Sequence, residues 1–324
     1  MGSNLVEALK NKHTIYGLDI VSPIKDGVRF TFGWDFLDNP NEILDVDAII
    51  HLAGKAHDTK NQAAADVYFK VNTELTKKVF DYFLAHESIK KFVFFSTAKA
   101  AADKVDGVLT EDVVPSPVGP YGESKIAAEN YILSKFKEFN GLSSLREDPL
   151  EPLEQLEHLK PTSKDVYIFR PCMIHGPGNK GNLNLLYNVV KKGIPWPLGA
   201  FENRRTFTSI ENICFAVNGV LTKDVPSGIY NMGDDEALST NELIEEICKS
   251  LGKKSHIWKL PKGLMNGVAK VGGLLHLPLN PERLRKLTEN YISSNEKIKK
   301  ALGVEKMPID AKTGLKVTLE SFRK

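Results

Sequence analysis

Thr97, Tyr121 and Lys125 are the residues of this chain whose types and spacing could move a proton. The stretch Tyr121-Gly122-Glu123-Ser124-Lys125 follows an apolar run, Phe92 to Phe95, that ends in Ser96-Thr97. On a helix, positions four apart share a face, so Lys125 would lie beside Tyr121. A cation there favours the phenolate and draws the phenol down from its usual pKa of about 10. Thr97 could hydrogen-bond the same oxygen of a bound alcohol. Such a set would take a proton from a hydroxyl while a hydride leaves the attached carbon. A tyrosine four residues before a lysine is by itself a weak signal, at home on any amphipathic helix. Its weight comes from the elements around it.

Those elements alternate. His13 to Ile20, Val28 to Phe32, Val46 to Leu52, Lys91 to Phe95 and Val166 to Phe169 read as strands. Ala65 to His86 and Gly122 to Phe139 read as helices. Val46–Leu52 is an apolar run suited to a buried parallel strand. Strand and helix in alternation predict an α/β fold, a doubly wound parallel sheet. The 324 residues suffice for one large or two small domains with ample core. A formal net charge of +2, with lysines scattered near acids, argues against a nucleic-acid surface.

Cys172, Cys214 and Cys248 are far apart and odd in number, without metal-ligand spacing. They read as small, mostly buried residues, no metal is expected, and a reducing, cytoplasmic setting fits. No apolar run approaches the roughly 20 residues that span a bilayer, and no signal-peptide pattern is read at the start. Gly263 to Leu279, interrupted by Lys270 and paired glycines, reads as an amphipathic helix against a cleft or core, with a membrane-surface role as the second reading.

The alternation, together with Thr97, Tyr121 and Lys125, resembles the extended short-chain dehydrogenase/reductase family, of the NAD-dependent epimerase/dehydratase type. Its members include nucleotide-sugar epimerases, dehydratases and reductases. The resemblance runs along nearly the whole chain. It implies a Rossmann-like cofactor domain over residues 1–170. Residues 171–324 would form mainly a smaller substrate-binding lobe, with some segments returning to the sheet. It makes Thr97 the catalytic hydroxyl, with Ser96 its neighbour on the cofactor side. Tyr121 becomes the acid/base, and Lys125 the residue that tunes Tyr121 and bonds the nicotinamide ribose.

The expected cofactor is NAD. Asp19 closes a strand roughly 20 residues after the place of a glycine turn, where an acid binds ribose hydroxyls and repels a 2′-phosphate. By resemblance Asp35 lies near the adenine, Leu52-Ala53-Gly54 lets the backbone approach a ribose and pyrophosphate, and Pro171 closes the sixth strand beside the cofactor. His51 reads as a core histidine and Asn72 as a brace for the active-site strand.

Met1-Gly2-Ser3-Asn4 resembles the segment just after the family's glycine-rich turn, with Gly2 as the last glycine. On that reading a first strand and two glycines are missing, through a start assigned too late or a true loss, the first being favoured. The absent strand would lie between the second and fourth strands and leave two ladders unpaired. Buried unpaired backbone groups cost about 1–3 kcal/mol each, against a usual stability of about 5–15 kcal/mol. Poor solubility, or dependence on assembly, is the expectation.

On the substrate side the resemblance assigns Asn182, at the end of Gly176 to Asn182, and Arg205, in Arg205-Thr206-Phe207, to a UDP-sugar. It places Gly193 to Gly199 beside the uracil, and Arg285 or Arg283 as a second clamp on the diphosphate. Family dehydratases carry Asp-Glu after the threonine, where this chain has Ala98-Lys99. That argues against dehydration and for C4 epimerisation of a UDP-hexose or UDP-N-acetylhexosamine in polysaccharide synthesis. A 4-keto-sugar reductase is the runner-up, and a non-catalytic NAD-binding relic the rival from another class. The resemblance also implies a homodimer through helices near 66–86 and 123–138. The acidic stretch from Leu142 to Lys164 reads as a surface insertion.

Overall fold

The computed structural model describes residues 1–21, 24–39, 45–56, 64–141, 164–179, 181–275 and 279–323. The expected insertion lies outside these residues, apart from Lys164. The first half runs α1 (Gly2–Leu9), β1 (Tyr16–Leu18), β2 (Phe30–Phe32), β3 (Ala48–His51), α2 (Ala65–Tyr68), α3 (Leu75–Ala85), β4 (Lys91–Phe95), α4 (Ala98–Ala101), β5 (Val108–Leu109) and α5 (Pro120–Phe139). There follow β6 (Asp165–Pro171), β7 (Met173–His175), α6 (Asn182–Lys191), β8 (Phe207–Ser209), α7 (Ile210–Thr222) and β9 (Gly228–Met232). The chain closes with α8 (Thr240–Ser250), α9 (Lys262–Leu274), α10 (Pro281–Thr288), β10 (Ile292–Ser293), α11 (Glu296–Leu302) and α12 (Ala311–Ser321).

The centre is a four-stranded parallel sheet ordered β3-β4-β6-β9. Its strands are rich in aromatic and β-branched residues, because both faces are covered. Alternate side chains serve two cores. Val93, Phe95, Tyr167, Phe169, Tyr230 and Met232 pack with α1, α7 and α11. Phe92, Phe94, Val166, Ile168 and Ile229 pack with α3 and α5 on the other face. Each such large side chain, fully buried, contributes about 1.5–3 kcal/mol. This is the doubly wound, Rossmann-like arrangement that the alternation implies.

The parallel sheet is in two pieces. β1 and β2 pair only with each other, with Leu18 opposite Phe32. Among the described residues, β1 and β3 each have one edge without a ladder. β1 spans three residues where eight were expected, because only Tyr16 to Leu18 find partners.

Beyond the sheet, β7 pairs with β8. Beside them α6, α8 and α12 enclose a third core around Leu183, Tyr187, Phe207, Ile244, Ile247 and Leu315. Asp234 sits buried at its base. Its carboxylate accepts from the Ser209 N–H and hydroxyl at 2.9 Å each and from Asn212 at 2.8 Å. These elements make up the smaller lobe, and β10 ties it back by pairing with β5.

The expectation for Gly263–Leu279 holds on one side only. α9 buries Met265, Ala269 and Gly272, but Leu264, Val268, Val271 and Leu274 are exposed. The period was legible; which arc is covered depends on what the rest of the chain brings to it. Among the described residues no helix is long and apolar enough to cross a membrane.

Candidate active site

Thr97 leaves the carboxyl end of β4 in an extended conformation and caps α4. Its hydroxyl accepts the Lys99 N–H at 3.3 Å and is nearly buried. α5 begins at Pro120, two residues earlier than expected. Proline suits that position because its missing N–H has no helical partner to lose. Tyr121 therefore falls in the first turn of α5, where its phenol lies near the Thr97 hydroxyl. The ring of Tyr68 lies 6.4 Å from that of Tyr121.

The electrostatics differ from expectation. Burial pushes the Tyr121 phenol above its ordinary value; the nearby Thr97 hydroxyl opposes this, and Tyr68 adds to the rise. Lys125 does not draw the phenol down here, because its side chain runs inward. Its ammonium donates to the Phe95 carbonyl at 2.8 Å and lies 4.7 Å over the Phe94 ring. Burial lowers Lys125 from 10.5 to about 8, with the Glu129 carboxylate pulling the other way.

Asn72 is fully buried within a π-helical segment, Phe69–Glu74, between α2 and α3. The extra residue of such a turn commonly marks a functional site. Asn72 accepts the Lys55 N–H at 2.8 Å and donates to the Lys55 carbonyl at 3.1 Å and the Ser124 hydroxyl at 2.9 Å. Its brace thus joins the loop after β3 to α5, rather than holding β4. Gly54 lies in that loop, and a Cβ there would meet Lys125 Nζ at 3.0 Å and Asn72 Oδ1 at 3.1 Å. His51 is the core histidine expected. It contacts Thr76 Oγ1 at 2.9 Å, and burial, then the charge of Lys125, lowers it to about 3.

Sequence reasoning missed Glu129. It lies one turn beyond Lys125, fully buried, and receives Arg170 at 2.6 and 3.0 Å through two guanidinium nitrogens. The Ser96 hydroxyl also donates to Glu129. Ser96 is therefore turned inward, and its role is to tie β4 to this ion pair. The spacing Lys125–Glu129 was the available signal; the partner, Arg170, is 41 residues away. The cysteines stay protonated: burial pushes Cys172 up to about 12 and Cys214 up to about 11.

The sequence that places this hydroxyl, phenol and buried lysine at the end of a parallel strand also matches a family model. That model, the NAD dependent epimerase/dehydratase family, matches residues 1–233. The chain belongs to this family. The UDP-glucose 4-epimerase of Vibrio cholerae is 28% identical over 282 residues, covering 81% of this chain and 75% of that protein. An N-acetyl-alpha-D-glucosaminyl-diphospho-ditrans,octacis-undecaprenol 4-epimerase of Escherichia coli O157:H7 is 26% identical, covering 68% of this chain but only 60% of that protein. The fold is shared with UDP-glucuronic acid 4-epimerase from Bacillus cereus, solved in complex with NAD, at a TM-score of 0.69 and 17% identity. That match covers 99% of this chain and 93% of the other.

Family membership makes this an NAD-dependent enzyme, and the residues present fit the cofactor. Asp19 and Asp35 follow β1 and β2, whose register puts both exposed acids at one carboxyl edge of the sheet. Nucleotides bind outside that edge in open α/β sheets. Gly2 opens α1 beside β3, with a Cβ there 3.6 Å from Leu52. Leu52, Ala53 and exposed Gly54 follow β3 at the carboxyl edge of the four-stranded sheet, whereas Pro171 is buried opposite Met232.

On the substrate side, Asn182 opens α6 and is exposed. Arg205 is half-buried and donates to the Lys286 carbonyl at 2.8 Å. Arg285 pairs with Asp103 at 3.6 Å and Glu289 at 3.1 Å. α10 thus brings the two arginines to one end of the smaller lobe. Lys99, standing where a dehydratase carboxyl would, is tied to Asp103 at 2.8 Å.

Proposed function

We propose that this chain is a nucleotide-sugar 4-epimerase acting on a UDP-hexose or UDP-N-acetylhexosamine. The observation that carries the reading is the convergence of the Tyr121 phenol and the Thr97 hydroxyl at the end of β4, with Lys125 buried one turn along α5. NAD, when bound, supplies a hydride acceptor and a positively charged ring. Asp19 and Asp35 would hold its adenosine end, and Lys125 its nicotinamide ribose.

Tyr121 takes the proton of the sugar 4-hydroxyl and returns it after the ketosugar has turned over. Burial holds the phenol protonated in the free chain, so binding must bring positive charge towards it before it can act as a base. Thr97 steadies the oxygen that gains and loses the proton. Asn182, Arg205 and Arg285 would bind the sugar and diphosphate, the arginines through their bidentate forks. Ala98 and Lys99 offer no carboxyl for eliminating water.

The test incubates the chain with UDP-glucose or UDP-N-acetylglucosamine and NAD and separates the 4-epimers by chromatography. Epimer should form without net NADH. Tyr121→Phe should lower turnover about a thousandfold and leave NAD binding intact by calorimetry. An unchanged rate would reject the assignment of Tyr121. NADH consumed with a 4-keto sugar nucleotide, and no epimer formed, would make the chain the reductase.

A further inference from the structure

We propose that Lys55 determines sugar specificity: its ammonium binds a carboxylate on the sugar of the substrate. The proposal rests on the reading above for where the sugar lies, at Tyr121, and adds which sugar fits there. Lys55 is held twice by one helical segment. Asn72, fully buried, accepts its N–H at 2.8 Å and donates to its carbonyl at 3.1 Å. Tyr68, four residues before Asn72, has its ring 5.8 Å from the Lys55 ammonium. The segment thus fixes both the peptide groups and the side chain of Lys55. Gly54 is confined as well, since a Cβ there would meet Lys125 Nζ at 3.0 Å. The loop therefore passes Lys125 at Gly54 and delivers Lys55 to Tyr68, whose ring lies 6.4 Å from that of Tyr121. Lys125 marks the nicotinamide ribose and Tyr121 the sugar, so Lys55 stands on the sugar side.

Holding a lysine costs it rotamer freedom, and elsewhere in this chain a held lysine has acceptors. Lys164 donates to the Phe83, His86 and Ile89 carbonyls. Lys99 has Asp103. Lys55 is half-buried, and among the described residues its ammonium meets the Tyr68 ring but no carboxylate or carbonyl. Glu129, the buried acid of α5, is already held by Arg170 and Ser96. Lys125 is a second cation on the same loop, so this end of the site carries positive charge without a counter-ion. An anionic oxygen satisfies such an ammonium better than a hydroxyl does, because charge-assisted bonds are the stronger ones. The diphosphate is read at Arg205 and Arg285 in the smaller lobe. The anion that reaches Lys55 then belongs to the sugar, and the hexose taken best is one oxidised to a hexuronate.

The test titrates the full chain, saturated with NAD, with UDP-glucuronate, UDP-glucose and UDP by calorimetry, which reads binding whether or not turnover follows. UDP-glucuronate should bind at least about tenfold more tightly than UDP-glucose. Lys55→Met should remove that advantage and leave the binding of UDP and of NAD as it was. Lys55→Arg keeps the charge and should restore most of the advantage. Both variants should keep the melting temperature, because Asn72 bonds the backbone of residue 55 and not its side chain. Equal affinity of the unaltered chain for the two sugars would overturn the proposal, as would an advantage that survives in Lys55→Met. A Lys55→Met chain that loses UDP or NAD binding, or melts lower, would make Lys55 a diphosphate, cofactor or structural residue, and overturn it too. The reaction is judged separately: no epimer from either sugar rejects the epimerase reading, whereas the binding difference decides Lys55.

Discussion

Lys125 is held where its charge is least comfortable. Its ammonium is buried under α5 against one carbonyl and one aromatic ring, and its value falls to about 8. The folded value lies below the unfolded 10.5. Between these values the unfolded chain binds more protons, so stability rises with pH across that window; below it, burying the charged group costs about 3 kcal/mol. Catalysis runs the other way. The cation is lost as pH rises through about 8, and with it the charged group proposed to hold the nicotinamide ribose. The expected outcome is a kcat/KM that falls above about pH 8 while the melting temperature does not fall with it. Glu129→Gln removes the charge that holds Lys125 up, and should move the alkaline limb to lower pH. A limb unmoved in that variant, measured between about pH 6 and about pH 10, would separate Glu129 from the chemistry. The proposed set of Thr97, Tyr121 and Lys125 could be read from sequence because each sits at a fixed offset within one strand end or one helix. The Glu129–Arg170 pair was not, because its partners meet only when β6 lies beside β4.

At the scale of elements, what was legible follows local pattern. β4 matched its expected bounds because a continuous apolar run of four residues, Phe92–Phe95, lies between Lys91 and Ser96. The helix from Ala65 was legible, but its π-helical turn was not. Nothing local shows that Asn72 must reach two other elements at once. That turn leads to a prediction. Asn72→Ala removes the side-chain partners of the Lys55 N–H and the Lys55 carbonyl, and one of the two partners of the Ser124 hydroxyl. Each buried group left unpaired costs about 1–3 kcal/mol, so denaturant unfolding should show a clearly lowered midpoint with little change in slope. Asn72→Asp keeps an acceptor for Lys55 and should recover part of that loss. Equal stability of the two variants would mean that the brace is not holding the loop to α5. α9 shows the converse limit: its period was legible, but the covering of its faces is a property of the assembled lobe.

At the scale of the molecule, the divided sheet should make stability uneven. β4, β6 and β9 lie between two helical layers, and their strand residues are buried almost throughout. Their amides can exchange only when both cores open. β1 and β2 share three paired residues each, lie partly in solvent, and have no further ladder among the described residues. Such a pair opens locally, without the rest of the sheet. Native-state hydrogen exchange read by mass spectrometry should therefore find Tyr16–Leu18 and Phe30–Phe32 exchanging at least about a hundredfold faster than Phe92–Phe95 and Tyr167–Phe169. The same experiment reports on the cofactor. Asp19 and Asp35 extend from these two strands, so NAD held by them should slow exchange in β1 and β2 by linkage, leaving the ratio smaller than in the free chain. Equal protection of both pieces without NAD would show the sheet acting as one cooperative unit. An unchanged ratio with NAD bound would place the adenosine end away from Asp19 and Asp35.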